Sequence, residues 1–492
     1  MNFPVASYNP RGPRGRGRIS ASPGRRRVGS ESSLDCCDLT DIGRRRSNNQ
    51  DSKAVLRPWT REQRERHGWL LVVADGMGAH AAGEMASAIA AEQVPLIYEK
   101  LAARSPPLAL RTSIEQANGE IYAKGSGSPE LKGMGTTCTA LALVSRGAIV
   151  GHVGDSRAYR IRADRIEQLT RDHSLVWELQ EMQATGELAA DVAVRDAPKN
   201  IITRSLGPHP QVNVDLEGPF AVEADDVFVL CSDGLSGVVG DREIGAVAAT
   251  LSPREAAAAL VGLALARGAP DNVTVIVAKA GVVEASRQGA ANEPWPLTDD
   301  APDETPKTVP WRMFALAAGC LLAALLLQPR SDLMIETGLL GRLLGSLREP
   351  VGWVACVTLM MLFIGSLASA TLGFLIPTQA AARFLPPGGR LGGGPYRSHE
   401  CVPDAGLVEA IVASIEEAAA GLDGAARQRA DALVEAARSD AKAGRFAAAV
   451  RSGAGAIAIY RRAIEAARSD ETVGGSGAGP RSPESSRPAW EP

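Results

Sequence analysis

Four times in this chain an aspartate stands at the end of an apolar, β-branched run. Leu70-Leu-Val-Val-Ala74 leads into Asp75-Gly76, and Val227-Phe-Val-Leu-Cys-Ser232 into Asp233-Gly234. Ala148-Ile-Val-Gly-His-Val-Gly154 leads into Asp155, while Asp271-Asn272 opens Val273-Thr-Val-Ile-Val277. Such runs read as buried strands. Each aspartate therefore sits at a strand end beside glycine, serine or asparagine, and at Asp75 a glycine-permitted turn lets backbone and ligand come close. Aspartate beside glycine is also ordinary turn chemistry, but four such corners in one domain-sized segment point to a shared site at a sheet edge. Carboxylates gathered without His or Cys partners repel, and at least one stays protonated unless a cation neutralises the set. All-oxygen ligation suits hard cations such as Mg²⁺ or Mn²⁺. The pattern predicts a metal site.

A chain of 492 residues has room for roughly two to three domains. With 45% apolar and 22% charged residues it is globular in composition, and a net charge of -3 gives it no overall polyanion or polycation character. The charge is unevenly placed: residues 11–27 hold seven arginines and no acid. Residues 1–33 therefore read as a disordered basic arm, solvated rather than bound, and no nucleic-acid partner is expected. The arm lacks the apolar core of a secretory signal. Seven cysteines without a C-x-x-C pair offer neither a disulfide framework nor a zinc pattern, which suits a reducing cytosol.

Residues 34–283 mix strands and helices under dense Gly/Asp punctuation, enough for one large domain. Two successive helices are predicted over 85–103 and 107–124. Strands not regularly interleaved with helices argue for an α+β class. Residues 284–310, with five prolines and six acids, read as a linker. Residues 311–328 hold a candidate transmembrane segment, of which Met313 to Leu327 is uncharged but only fifteen residues long, short for a bilayer. Residues 351–377 are a second, uncharged over about twenty-five residues. Between them, Gly338 to Leu347 reads as interfacial. Lys307, Arg312, Arg383, Arg390 and Arg397 flank the pair, against Arg330, Arg342 and Arg348 between the segments. That bias places both chain ends in the cytoplasm, with membrane association through 313–377. A Pro/Gly hinge is expected over 378–400, and a helical tail over 401–470, with Leu407, Ile411 and Ile415 on one stripe and Leu433, Val434 and Ala437 on another. Within it, Lys442 to Val450 has the look of one tetratricopeptide-type unit; one copy is not a repeat, and a helical hairpin is the reading. Residues 471–492 read as disordered.

Eight motifs in order carry a resemblance. They are Arg46-Ser-Asn-Asn-Gln-Asp51, Asp75-Gly-Met-Gly-Ala-His80 with Gly83-Glu84, Gly133-Met-Gly-Thr-Thr137 and Val153-Gly-Asp-Ser-Arg-Ala-Tyr159. Leu169-Thr-Arg-Asp-His-Ser174, Asn200-Ile-Ile-Thr-Arg-Ser-Leu-Gly207, Cys231-Ser-Asp-Gly-Leu235 and Pro270-Asp-Asn-Val-Thr274 follow. From about Leu39 to Ala278 the chain resembles the metal-dependent serine/threonine protein phosphatases of type 2C, in their bacterial form. The resemblance implies a four-layer αββα sandwich, two antiparallel sheets flanked by helices, with metals at one edge. It implies that Asp75 bridges two divalent cations (Mn²⁺ or Mg²⁺), that the Gly76 carbonyl ligates one, and that Asp233 and Asp271 hold the other. Asp155, with Asp233, resembles the ligand of a third, weaker ion. Asp51 resembles the carboxylate that acts through a coordinated water, and Arg46 stands where the family has its phosphate-binding arginine.

Three positions depart from the family pattern. Met77 replaces the histidine that eukaryotic members use as general acid, Gln50 replaces an acid, and Ala79 replaces a glycine. His80 lies close in sequence, but motif position does not set its reach. Residues 172–200 resemble the flap beside the bacterial active site; within it His173 is expected to cap a turn and Trp177 to pack, and Arg195 lies there too. The expected function is hydrolysis of phosphoserine and phosphothreonine in proteins by a metal-activated water, in a membrane-anchored enzyme that opposes serine/threonine kinase signalling. A non-catalytic phosphoprotein-binding scaffold is the alternative.

Overall fold

The computed structural model describes residues 34–78, 81–188, 194, 197–198, 200–281, 294–298, 319, 358, 361–364, 384–422 and 424–474. In chain order it begins with β1 (Asp35–Asp41), β2 (Asp51–Leu56), α1 (Arg61–Arg66), β3 (Trp69–Met77), α2 (Ala81–Leu101) and α3 (Pro106–Gly127). There follow β4 (Gly135–Thr136), β5 (Cys138–Val144), β6 (Gly147–Val153), β7 (Arg157–Arg162), β8 (Arg165–Gln168), α4 (Leu175–Thr185) and β9 (Asp215–Phe220). Then come β10 (Val227–Cys231), α5 (Asp233–Ser236), α6 (Asp241–Thr250), α7 (Pro253–Ala266), β11 (Val273–Lys279) and β12 (Trp295–Pro296). The chain returns with β13 (Phe384–Leu385), β14 (Arg397–Glu400), α8 (Ala405–Ala419), α9 (Gly424–Lys442) and α10 (Phe446–Gly474).

Two six-stranded antiparallel sheets stack face to face, one in the order β1-β11-β10-β7-β8-β14, the other β2-β3-β5-β6-β9 with β4 beside β3. Successive strand residues point to opposite faces, and the apolar runs use both. In β3, Leu70, Val72 and Ala74 join the core shared with α2 and α3, while Leu71 and Val73 enter the core between the sheets. In β10, Val227, Val229 and Cys231 face the α6 and α7 side, and Phe228 and Leu230 turn inward. Antiparallel strands usually alternate apolar and polar because one face meets water. Here helices cover each outer face, so the runs are continuous. The expected four-layer α+β sandwich is present, and the expected helices over 85–103 and 107–124 appear as α2 and α3 with ends displaced by a few residues.

The C-terminal region departs from expectation. The stretch 384–400 is not a free hinge. Strand β14 adds to the edge of the first sheet through β8, and Leu391 exchanges backbone hydrogen bonds with Gly218. The physical reason is the buried carboxylate of Glu217, which needs donors: Gly394 N–H meets its Oε2 at 3.0 Å and Tyr396 O–H its Oε1 at 2.5 Å. Glycine and proline make turns equally well in free chain and against a surface. Nor is 401–470 a separate tail or a plain hairpin. Three helices, α8 to α10, share one apolar core with α6, α7 and the first sheet, burying Leu407, Ile411, Ile415, Val434 and Ala437.

The linker 284–310 is docked where it is described. Strand β12 pairs with β13, Arg146 stacks 3.9 Å over Trp295, and Ser105 Oγ donates to Pro296 O at 2.6 Å. Residues 295–296 and 384–385 thus lie side by side. Of the expected disordered end 471–492, residues 471–474 continue α10; the remainder, the expected arm 1–33, and nearly all of 311–328 and 351–377 lie outside the described residues. Among the described residues no helix is long and apolar enough to cross a membrane.

Candidate metal centre

The four strand-mouth aspartates and Asp51 meet at one edge of the sandwich. The β2–β3 register sets Asp51 opposite Asp75. Asp51 Oδ2 accepts from Ser232 Oγ at 2.8 Å. Ser232 and Thr274 are themselves tied: Ser232 N–H donates to Thr274 O, and Thr274 N–H to Ser232 Oγ, both at 3.0 Å. Asp75 is held by its backbone. Its N–H donates to Thr137 Oγ1 at 2.9 Å, and its carbonyl accepts from Thr137 N–H at 2.8 Å and Thr136 Oγ1 at 2.9 Å. Gly76 N–H donates to Gln50 O at 3.1 Å. At Gly234 a Cβ would lie 1.8 Å from Asn272 O, so only glycine lets the start of α5 press against the 270–272 turn. That contact brings Asp233 beside Asp271.

Asp75 and Asp233 lie close enough for each to act on the other's ionisation. Two carboxylates side by side disfavour ionising both. Burial, reinforced by the neighbouring carboxylates, raises Asp75 well above the usual range and raises Asp233 too. Burial is also the main cause that brings Asp51 to about 7 and Asp155 to about 8; the charge of Asp233 adds to both. Arg46 Nη2 donates to Asp271 Oδ2 at 2.7 Å with its side chain half exposed at the rim. Three buried oxygens, Asp51 Oδ1, Asp155 Oδ1 and Asp233 Oδ1, have no hydrogen-bond partner. Buried carboxylate oxygens left unpaired are costly, and a hard cation is the partner that satisfies several at once. The donor set therefore fits divalent cations. Among the described residues no three His, Cys, Asp or Glu side chains already form a closed metal cage; like charges resist that approach, so a cation draws such a set together rather than finding it ready-made.

His173 is engaged on both nitrogens. Nδ1 accepts from Gly154 N–H at 3.0 Å, so Nε2 carries the proton and donates to Asp215 Oδ2 at 2.9 Å. It fastens the turn that carries Asp155, as does Arg157, whose Nε and Nη2 hold Asp172. Trp177 is buried under Arg397, 3.9 Å above its ring, with Tyr396 edge-on. His80, Ala79 and Arg195 lie outside the described residues.

Sequence reasoning missed the supports: Ser232 on Asp51 with Thr274 N–H behind it, Thr136 and Thr137 on Asp75, and Asn272, whose side chain links Gln50 N–H, Ile42 O and Asn48 O. All but Ile42 stand inside the quoted motifs, so the signal was present, but their jobs depend on distant partners, 62, 181 and 222 residues away for Thr137, Ser232 and Asn272.

The protein phosphatase 2C family model matches residues 43–264. The serine/threonine phosphatase stp of Listeria innocua is 34% identical over 259 residues, covering 51% of this chain and 98% of that protein. Protein phosphatase PhpP of Streptococcus pneumoniae is 34% identical over 242 residues, 48% of this chain and 94% of that protein. The crystal structure of the Mycobacterium tuberculosis serine/threonine phosphatase PstP/Ppp matches at 34% identity and a TM-score of 0.43, covering 50% of this chain and 99% of that one.

Proposed function

We propose, since this chain belongs to the protein phosphatase 2C family and is a serine/threonine protein phosphatase, that its acidic sheet edge hydrolyses phosphoserine and phosphothreonine in proteins with divalent cations bound. The observation that carries this reading is the set of three buried, unpartnered carboxylate oxygens beside Arg46. Asp75, with the Gly76 carbonyl, would hold one Mn²⁺ or Mg²⁺ and share a second with Asp233 and Asp271; Asp155 with Asp233 would hold a third. Bound there, the cations supply charge neutralisation for the phosphate and acidity for water.

The chain's own residues do the rest. Arg46 spends one donor on Asp271 and presents its planar fork at the rim, where it can meet two phosphate oxygens. Ser232, itself held by Thr274 N–H, bonds the Asp51 carboxyl, and in this reading its unpartnered Oδ1 takes a proton from the attacking water. Water displaces the seryl or threonyl oxygen directly. A thiol nucleophile is disfavoured, because burial pushes Cys138 and Cys231 up to about 12 and the nucleophilic form is the thiolate.

The substrates in this reading are products of serine/threonine kinases. Membrane anchoring through 313–377 is the further part. It is supported by the uncharged length of the two segments and by the pairing of Trp295–Pro296 with Phe384–Leu385. That pairing keeps both ends of the intervening stretch on one side, which a paired crossing satisfies and a single one does not. The basic flanks put that side in the cytoplasm.

The test uses the full chain with a phosphothreonine peptide in Mn²⁺ and then in excess EDTA, with Asp233→Asn alongside. Metal-dependent phosphate release that the variant lacks is the expected result. A folded chain that releases no phosphate with any divalent cation would overturn the catalytic reading in favour of the binding scaffold.

A further inference from the structure

We propose that Arg468, near the end of α10, is a positioning residue for the loop that presents Arg46. This rests on the reading of Arg46 as the phosphate arm. Residue 468 lies far outside the span 43–264 that the family model matches, in the helical layer that covers α7.

The contact is specific. Arg468 Nη1 donates to both carboxylate oxygens of Asp41, at 3.0 and 3.1 Å, and Nη2 donates to Gly43 O at 2.5 Å. Eight residues, a little over two turns, earlier on the same helix, Tyr460 Oη accepts from Arg44 Nη1 at 3.0 Å. Two side chains of α10 therefore grip Asp41, Gly43 and Arg44. Asp41 Oδ1 also accepts from Gly43 N–H at 2.8 Å, which closes the turn.

The other side of this loop is pinned to the acidic edge. Gly43 has φ +78°, and a Cβ there would lie 2.1 Å from Asp271 O. Arg44 N–H donates to Ala269 O at 3.0 Å, and Asn272 Nδ2 to Ile42 O at 2.9 Å. Residues 41–44 are thus a single layer of chain between α10 and the 269–272 turn. Two residues further on, Arg46 bonds Asp271. The place of the guanidinium relative to the carboxylates is set by both neighbours of this layer.

Function and mere stability are separable here. Arg468 is one-third exposed, and exposed ion pairs add little to global stability. Small misplacement of a group that binds the reacting phosphate has a large effect on substrate handling.

The experiment measures steady-state kinetics of full-length Arg468→Ala, Arg468→Lys and Tyr460→Phe on a phosphothreonine peptide in saturating Mn²⁺, with melting curves and inhibition by inorganic phosphate. We expect Arg468→Ala to raise KM about three- to tenfold and weaken phosphate inhibition by the same factor, with kcat within about twofold and the melting point within about 2 °C. Arg468→Lys, which keeps charge without the fork, recovers part of the loss, and Tyr460→Phe shows a smaller change in the same direction. In an Arg46→Ala background Arg468→Ala adds less than about twofold, because the group it positions is gone. Unchanged KM in Arg468→Ala, an equal loss in both backgrounds, or a KM change that only follows a fall in melting point overturns the proposal. If Arg46→Ala itself leaves KM unchanged, the reading of Arg46 falls and this proposal falls with it; if Arg46→Ala raises KM and Arg468→Ala does not, only the positioning role is lost.

Discussion

The two outer helical layers of the sandwich are finished in different ways. On the second sheet no further helix among the described residues covers α2 and α3, and Met85, Leu96 and Leu101 of α2 are exposed. On the first sheet α7 is buried almost all round: of its fourteen residues ten are buried, and α8 to α10 supply the cover on its outer side. A helix apolar on every side needs partners on every side. The contrast teaches that the chain after 384 is the outermost layer of the catalytic body rather than an appendage. It also separates two jobs, since the acidic edge carries charge that opposes folding while the extra layer carries burial that favours it.

Cutting the chain at 383 is the severest way to break this comparison. Each apolar side chain stripped of cover costs about 1.5–3 kcal/mol, against a total stability of roughly 5–15 kcal/mol for a domain. The truncated protein should fail to accumulate in soluble folded form, judged by gel filtration and circular dichroism. A soluble domain with an unchanged melting point would show the cover to be dispensable.

At the acidic edge the balance should reverse. Asp75→Asn and Asp233→Asn each remove several kcal/mol of charge stabilisation in the reaction, a loss on the order of 10²–10³-fold in turnover. In EDTA the same variants should melt at higher temperature than the parent, because the cost of burying or protonating a carboxylate among its neighbours is gone. Retained turnover in either variant would remove that residue from the site.

Matched core truncations sharpen the comparison further. Ile114→Ala under the second sheet's helices and Ile411→Ala in α8 each delete a buried side chain. Each should cost about 2–5 kcal/mol and shift one common unfolding transition. Two separate transitions in Ile411→Ala would mean that α8–α10 unfold as an independent unit.

The smallest effect is acid sensitivity on one side only. His152, in the second sheet, is brought from 6.5 down to about 3, by burial first and then by His173. Its folded value lies below its unfolded one, so the unfolded chain binds a proton that the fold refuses. The contribution is intact above pH 6.5 and is lost as pH falls from there towards 3. Between pH 7 and 5 the loss is about 2 kcal/mol, read from urea midpoints. His152→Gln, which keeps a donor and an acceptor without titrating, should flatten that slope.

Much of this was legible in the residues. Leu70 to Ala74 and Val227 to Cys231 are strands because β-branched runs bounded by Asp-Gly corners have few other options, and the corners mark the edge where the carboxylates meet. The bond from Ser232 to Asp51 was not legible, since it joins two strands 181 positions apart in sequence. Glycine and proline over 386–395 signalled turns correctly, but not that those turns lie against Glu217. The Ala/Leu-rich α7 carried a signal for cover on two faces, without saying what would cover it.

By itself, then, the sequence determined the strands that meet the aspartates and the helices α2 and α3, where the aspartates stand at the strand ends, and which chemistry those aspartates suit. These are local properties, governed by side-chain periodicity, turn geometry and ligand hardness. Only the tertiary structure decided that Asp51 lies opposite Asp75, that Ser232 bonds it, and that Arg468 reaches Asp41 across more than four hundred residues of chain. Those are non-local contacts, and no local pattern encodes them, because they form only when the buried faces of distant segments find one another.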